Sequence, residues 1–252
     1  THDGKKVIDG ISAMWCTGAG HNRKPINEAV KRQVDTLDYA TAFQATNDKA
    51  ARAAQMIAAL APADLNKVLF CNSGSEAADT AMKVALAYHR ARGEGHRNVF
   101  IGREKGYHGV GFGGMSVGGM TANRKVFGAS LLPRVDHLRF IHDPVHHAYY
   151  NGTEPEWEED ILLELENRIL PLHDASNVAA VIVEPVAGSA GWYAPPKGYL
   201  KRLREICDKH GILLIFDEVI TGFGRLCTPF ASDYYGGLPD MLPDDEMLRE
   251  KH

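Results

Sequence analysis

The sequence predicts an α/β fold in which a mostly parallel sheet is covered by helices. Short apolar segments alternate with amphipathic segments along most of the chain, which is typical of this fold class. Two of the apolar segments, Val178–Val183 and residues 212–216, are continuous apolar runs. Strands with this pattern are buried on both faces, so we expect these two at the centre of the sheet.

The other elements follow from periodicity and from signals at their ends. Two further strands are predicted, at residues 67–71 and 98–101. The apolar spacing predicts helices at residues 25–37, 48–60, 75–92, 156–170 and 197–209. Gly93 and Gly211 fall where left-handed C-caps belong. Pro171 is expected to follow the end of its helix, and Pro196 suits the first turn of the next one.

The composition indicates a soluble globular protein whose partners are small molecules. The chain has 252 residues, of which 44% are hydrophobic and 24% charged, and its formal net charge is -4. It has no basic stripe for nucleic acid, no polybasic patch for a membrane surface, and no apolar run near the roughly 20 residues that span a bilayer. Its four cysteines form no CxxC pair, so we expect a reducing, cytoplasmic location.

Three parts are predicted along the chain. Residues 1–46 are interpreted as an N-terminal segment that belongs to a smaller domain, and residues 47–240 as a large domain. Residues 241–252 form a polar tail with no obvious core to join. The start has neither a signal-peptide core nor an initiator methionine, and we interpret it as trimmed.

A strand-to-helix junction at residues 71–77 carries the first chemical signal. Its sequence is Cys-Asn-Ser-Gly-Ser-Glu-Ala, and Gly74 and Ser75 open the predicted helix. Unpaired N–H groups and the positive end of the helix dipole meet at such a junction, so it can bind a phosphate. The Ser-x-x-Glu spacing of Ser73 and Glu76 also predicts a capping box. The two interpretations are compatible.

Two further segments place polar and aromatic groups after strands. Asp217 ends the apolar run at residues 212–216, where ligands gather in open α/β sheets and where a carboxylate needs a cationic or donor partner. Taken alone, it could equally be a turn or cap aspartate. Tyr107 lies between glycines, at a position from which it could cover a flat ring, although by itself it is better explained as a loop residue.

Together these segments resemble the class III, fold-type I pyridoxal-phosphate aminotransferases, and among them the ω-amino acid:pyruvate (β-alanine–pyruvate) branch. The resemblance covers residues 1–241. The motifs that carry it are Asn-Ser-Gly-Ser-Glu-Ala at 72–77, Tyr-His-Gly at 107–109, Val-Glu-Pro-Val at 183–186, Pro-Pro-Lys-Gly-Tyr-Leu at 195–200 and Asp-Glu-Val-Ile-Thr-Gly-Phe-Gly-Arg at 217–225.

The resemblance implies pyridoxal 5'-phosphate (PLP) as cofactor and assigns residues to it. Gly74 and Ser75 would hold its phosphate. Tyr107 and Val219 would cover the two faces of its ring. Asp217 would pair with the ring nitrogen, which keeps the ring protonated and able to accept electrons.

Further implications concern supporting residues, substrates and assembly. His108 and Glu184 would lie near the ring, and Trp15 would line the substrate pocket, unless it is a plain core tryptophan. The implied reaction moves an amino group from an ω-amino acid or amine to pyruvate or a similar keto acid. The implied assembly is a homodimer.

The lysine that such an enzyme needs is missing from its expected position. In the family it follows a Pro-Asp pair by six residues, where it binds the cofactor aldehyde as a Schiff base and carries the substrate proton. Here the pair is Pro239-Asp240, the sixth position beyond it is Glu246, and the nearby Lys251 lacks a matching context. The threonine and arginine that the family carries farther on are not found either. We therefore expect the 252 residues by themselves to be an inactive piece of such an enzyme.

The sequence also allows alternatives from other functional classes. A non-catalytic PLP-binding remnant stays open, as does a decarboxylase or aminomutase of the same fold. The glycine-rich run of residues 109–114 lacks the strand and helix context of a dinucleotide fingerprint. His142, His146 and His147, beside Asp143, are interpreted as solvated histidines, so no metal site is expected.

Overall fold

The computed structural model describes residues 2–142, 158–243 and 247–249 and confirms the α/β fold. The chain divides into two compact units, Thr1–Met56 and Ile57–His252. The predicted boundary lay ten residues earlier, after residue 46. The division in the structure falls inside a helix instead of in the loop before it.

The first unit consists of turns followed by helix. Its helix α1 (Lys24–Thr36) starts with a proline in its first turn, and α2 (Asp48–Leu60) begins here. No described residue of α1 is buried, and its apolar side chains Ile26, Val30 and Val34 are all more than half exposed. The helix is amphipathic, as the sequence predicts, but the described residues of this unit do not cover its apolar face.

The second unit is built around one sheet. Its helices and strands, in chain order, are β1 (Leu65–Val68), α3 (Gly74–Ala91), β2 (Val99–Arg103), α4 (Phe112–Val117), α5 (Thr121–Phe127), β3 (Val135–Leu138), α6 (Glu158–Glu164), α7 (Leu170–His173), β4 (Val178–Val183), α8 (Tyr199–His210), β5 (Leu213–Phe216), α9 (Ala231–Tyr235), β6 (Met241–Leu242) and β7 (Met247–Arg249). A π-helical stretch, Leu165–Ile169, joins α6 to α7. Short 3-10 turns follow α5 and α7.

Among the described residues the sheet has seven strands in the order β1-β7-β6-β5-β4-β2-β3. The five strands from β6 to β3 run parallel, while β7 is antiparallel to both β6 and β1. Strands β4 and β5 are central, as their apolar runs predict. Core residues cover both faces of β4: Val181 and Val183 join one buried cluster, and Ala180 and Ile182 join the other.

The predicted strands are present with shifted ends, and three strands were missed. Strand β4 lies where it was predicted, but β1 begins at Leu65, which is 2% exposed and anchors it in the core. Strand β3 was missed because it is short and carries Asp136 and His137 in its middle. Their side chains are satisfied by neighbours outside the strand, His173 and the carbonyl of Gly118.

The predicted helix ends are confirmed at the two glycines but are wrong at the two prolines. Gly93 and Gly211 both have positive φ at the ends of their helices. Pro171 does not follow its helix but sits in the first turn of α7, where its missing N–H costs nothing because the preceding π-helical stretch has already broken the α-helical pattern. Pro196 lies before α8, which is capped by Gly198 and begins at Tyr199.

The segment after Asp240 is not merely a polar tail. Met241 and Leu242 form β6 beside β5, and they are 4% and 0% exposed. Both side chains are apolar and enter the core clusters on the two faces of the sheet. The expectation of a tail without a core is therefore wrong for these two residues, because a two-residue strand is too short to be recognised by its pattern.

Candidate functional site

The start of α3 is capped as the sequence predicts. The Ser73 hydroxyl accepts a hydrogen bond from the N–H of Glu76 at 3.2 Å. The Glu76 carboxylate accepts a hydrogen bond from the backbone N–H of Asn72 at 2.9 Å. In a standard capping box it would instead accept the N–H of the N-cap residue, which here is Ser73. The first N–H groups of the helix, at Gly74 and Ser75, precede any intrahelical bond and are suited to an anion.

Asp217 lies immediately after β5 and is 7% exposed. Its Oδ2 is 2.8 Å from Nδ1 of His108, which is 1% exposed, and its Oδ1 accepts the N–H of Val219 at 3.2 Å. The imidazole therefore fixes the carboxylate from one side. The backbone of Asp217 is fixed as well, because its N–H donates to the carbonyl of Val183 at 2.9 Å.

Glu184 occupies the corresponding place after β4 and is 5% exposed. Its carboxylate accepts the N–H groups of Tyr107 and Gly188, each at 3.2 Å, and so ties the Tyr107 loop to the sheet. Burial raises the pKa of Glu184, although the charges of His108 and Arg103 oppose the rise. Glu184 thus holds the Tyr107 loop through its backbone.

Arg103, at the end of β2, was missed by the sequence analysis. Its side chain is fully buried, and its Nη2 donates to the carbonyl oxygen of Glu184 at 2.8 Å. A buried guanidinium needs negative charge nearby, and the charge of Arg103 acts on Glu184. The available signal was an arginine ending an otherwise apolar strand four residues before Tyr107.

The glycine-rich run after His108 is explained by helix packing. Gly109 has a φ of +91°, and a Cβ there would overlap Ser75, whose hydroxyl accepts the N–H of Val110 at 3.0 Å. Added Cβ atoms at Gly111 and Gly113 would come within 2.6 Å of side chains of α3. The glycines therefore let α3 lie close to this loop, and no dinucleotide is needed to account for them.

Gly74 and Val219 complete the cluster. A Cβ at Gly74 would stand 2.7 Å from Cγ2 of Val219, so the start of α3 and the turn after β5 are in close contact. The Val219 side chain is nevertheless 44% exposed, whereas the neighbouring Asp217 is buried. The structure thus presents an apolar surface next to a buried carboxylate.

The contacts above connect seven of the eight predicted site residues at one edge of the sheet. They are Gly74, Ser75, Tyr107, His108, Glu184, Asp217 and Val219. The eighth, Trp15, is half-buried in the first unit.

Glu218, which the sequence analysis passed over, is a fully buried acid between Asp217 and Val219. Its carboxylate accepts hydrogen bonds from the N–H groups of Ala231 and Ser232 at the start of α9 and from the Thr221 hydroxyl. Burial raises the pKa of Glu218 to about 7, although these three donors act in the opposite direction. The signal for it was the second acid directly after a buried strand.

The raised pKa of Glu218 predicts a loss of stability with rising pH. The folded chain binds the proton more tightly than the unfolded chain, whose pKa is near 4.5, so the contribution is full below 4.5 and lost as the pH passes 7. Glu218→Gln should unfold more easily than wild type at low pH but lose less stability between pH 4.5 and 8, by up to about 3 kcal/mol. Denaturant unfolding at several pH values measures this.

Glu205→Gln is the control for this comparison, because Glu205 is exposed and bonds only to Arg202 among the hydrogen bonds described. It should keep the wild-type pH dependence. Parallel profiles for Glu218→Gln and wild type would contradict the prediction.

The described residues contain neither a metal-binding cluster nor a membrane-spanning helix. No group of three or more His, Cys, Asp or Glu side chains there could hold a metal ion. His146, His147 and Asp143 lie outside the described residues, as do Glu246 and Lys251. No helix within the described ranges has both the length and the apolar character to cross a membrane.

Comparison with known families identifies the chain. Residues 1–243 match the family described as aminotransferase class-III. The chain belongs to the class III aminotransferase family. The match includes Met241 and Leu242, which the structure places in the sheet. Class III aminotransferases are pyridoxal-phosphate enzymes, so the family assignment agrees with the cofactor that the sequence motifs imply.

Over the aligned regions, the chain is about half identical in sequence to two curated relatives. An omega-aminotransferase of Caulobacter vibrioides is 54% identical over 242 residues, which are 96% of this chain and 54% of that protein. A beta-alanine–pyruvate aminotransferase of Pseudomonas aeruginosa is 51% identical over 239 residues, which are 95% of this chain and 52% of that protein. The chain spans about half the length of these relatives.

Solved structures show the same fold. An (S)-enantioselective omega-transaminase from Thermomicrobium roseum superimposes with a TM-score of 0.88 at 33% identity, over 95% of this chain and 53% of that one. A PLP-bound amine transaminase from an uncultivated Pseudomonas species gives a TM-score of 0.84 at 37% identity, over 95% and 54% of the two chains.

Proposed function

We propose that these 252 residues form the cofactor-binding part of an aminotransferase that moves an amino group from an ω-amino acid or amine to pyruvate. One observation carries the proposal. The segments that follow β2, β4 and β5 contact one another and the start of α3 around the Asp217 carboxylate. The names of the similar enzymes from Caulobacter vibrioides and Pseudomonas aeruginosa support the amino donor and acceptor.

In this proposal Gly74 and Ser75 hold the cofactor phosphate. They belong to the first turn of an 18-residue helix, whose positive dipole end and early N–H groups favour an anion. Gly74 has no Cβ, which keeps this approach open beside Val219. The Ser75 hydroxyl already accepts the N–H of Val110, and its own proton stays available to a phosphate oxygen.

Asp217, Val219 and Tyr107 contact the pyridine ring of the cofactor in this proposal. The exposed Val219 side chain offers an apolar face, and Tyr107 is held by Glu184 to cover the other face. Asp217 holds the proton at the ring nitrogen, and His108 keeps its carboxylate in place. PLP supplies, when bound, a protonated ring that accepts the electron pair left when the substrate loses its α-proton.

Turnover is not part of the proposal for these 252 residues by themselves. The position at which the resemblance expects the lysine is Glu246, and a carboxylate can neither bind the cofactor aldehyde nor take the place of an amine in shuttling the proton. We therefore expect binding of PLP without a covalent link.

The remaining features of the proposal concern the whole protein. We infer that it is a cytoplasmic homodimer, as the resemblance implies. Trp15 lines its substrate pocket, residues 1–46 contribute to a small domain, and residues 47–240 form the large, PLP-binding domain.

The proposal is tested by adding PLP to the purified chain. Equilibrium dialysis should show saturable binding to one site, weakened by inorganic phosphate because the start of α3 binds that group. Reduction with borohydride followed by peptide mass spectrometry should find no specifically labelled lysine. The absence of saturable binding would refute the proposal, and one specifically labelled lysine would show that the link is covalent after all.

A further inference from the structure

We propose that Glu218 is a positioning residue that holds the turn at residues 217–219 in the shape required by the cofactor ring. This role rests on the proposed function, since it is the ring that makes the shape of the turn important. Glu218 is itself directed away from the ring residues, toward α9, and acts through the backbone it shares with Asp217 and Val219.

The Glu218 carboxylate accepts hydrogen bonds from three donors farther along the chain. Its Oε2 accepts the N–H of Ala231 at 2.6 Å and the Thr221 hydroxyl at 3.0 Å. Its Oε1 accepts the N–H of Ser232 at 3.2 Å. The side chain is 0% exposed, so water does not compete for these bonds. One side chain therefore closes the loop between β5 and α9.

The backbone of Glu218 is fixed on its other side. Its N–H donates to the carbonyl of Pro243 at 3.3 Å, just after β6, and its carbonyl accepts the N–H of Gly222 at 2.8 Å. The residue is thereby linked to the loop, to α9 and to the end of β6. Its neighbours Asp217 and Val219, which meet His108 and Gly74, cannot shift unless these links break.

The arrangement requires an acceptor at both side-chain oxygens. Glutamine has nearly the same shape but presents an NH2 group at one of the two positions, where it would face a backbone N–H or the Thr221 hydroxyl. Glu218→Gln therefore removes at least one bond and leaves a buried donor unpaired, while every group that touches the ring stays unchanged.

The experiment combines hydrogen exchange with cofactor binding, both at about pH 6, where Glu218, with its pKa of about 7, is mostly protonated and therefore uncharged like glutamine. In Glu218→Gln without cofactor, the amides of Asp217, Val219 and Gly222 should exchange at least about 10-fold faster than in wild type. The dissociation constant for PLP, measured by equilibrium dialysis, should rise by about 10-fold. The ring ligands themselves are intact, so both changes report the shape of the turn.

Asp233→Asn is the matched control. Asp233 accepts the N–H of Phe230 at 3.2 Å and caps the same helix, α9, from an exposed position. It should remove the bond to Phe230 while Ala231 and Ser232 keep their bonds to Glu218, so exchange at residues 217–222 and the affinity for PLP should stay unchanged. If Asp233→Asn weakens PLP binding as much as Glu218→Gln, Glu218 acts only through general stability and the inference is wrong.

The outcomes separate this inference from the proposed function. If wild type binds PLP and Glu218→Gln binds it equally well with unchanged exchange, the inference is overturned while the function stands. If wild type does not bind PLP, the function fails, and the exchange comparison still decides whether Glu218 holds the turn. Should Glu218→Gln fail to fold, Thr221→Val removes one of the three donors and should give the same pattern of exchange at smaller size.

Discussion

Replacing Asp240 by alanine should lower the free energy of unfolding by about 3–5 kcal/mol, the largest stability effect we expect in this chain. Asp240 is 2% exposed, and its Oδ2 accepts Nη1 of Arg204 and the N–H of Leu214, each at 2.8 Å. Burial by itself would lower the pKa of Arg204, but its interactions with Asp240, Cys207 and Asp208 together raise the pKa. Without Asp240 the guanidinium of Arg204 loses its buried carboxylate and the N–H of Leu214 loses its acceptor.

Asp208→Ala is the control for that prediction, and denaturant unfolding measures both variants. Asp208 lies 2.9 Å from the same arginine, but its side chain is 59% exposed. Its loss should cost less than about 1 kcal/mol, because an exposed ion pair contributes little. Equal losses for the two variants would mean that the Arg204–Asp240 pair does not hold β6 beside β5.

The affinity for PLP should fall by about 10- to 100-fold when Asp217 is replaced by asparagine. Hydrogen bonds to charged groups contribute roughly 1.5–3 kcal/mol, and asparagine removes the charge that stabilises a protonated ring nitrogen. The fold should persist, because the asparagine oxygen can still accept a hydrogen bond from Nδ1 of His108. Equilibrium dialysis with PLP gives the affinity, and thermal unfolding shows that the variant is folded.

Asp136→Asn is a closely matched control. Asp136 lies in the same sheet and pairs with a histidine, His173, at 2.9 Å, much as Asp217 pairs with His108 at 2.8 Å. It has no place in the proposed cofactor site. An equal loss of PLP affinity in this variant would show that Asp217 acts through stability and not through the ring.

Much of the site could be predicted because its residues occur in short, contiguous motifs. A buried apolar run followed by Asp217, and a capped helix that starts with Gly74 and Ser75, are readable without any long-range information. The structure then brings these segments together at one edge of the sheet, since parallel strands end on the same side. Their roles toward PLP stay predictions until binding is measured.

The residues that were missed form their contacts across long stretches of chain. Arg103 bonds to the backbone of Glu184, 81 residues away, and Arg204 bonds to Asp240, 36 residues away. Nothing around Arg204 in the sequence distinguishes it from a surface charge, and the signal at Arg103 is only its place at the end of an apolar strand. Pro171 was misjudged for a related reason, since a π-helical stretch that the sequence does not mark precedes it.

The sequence by itself determined the fold class, the central strands and the family, because apolar periodicity and local motifs depend on neighbours along the chain. Only the tertiary structure decided that Met241 and Leu242 enter the sheet, that the glycines after His108 make room for α3, and that Glu218 closes the loop beside Asp217. These features depend on burial and on partners brought together by folding, which local sequence does not record.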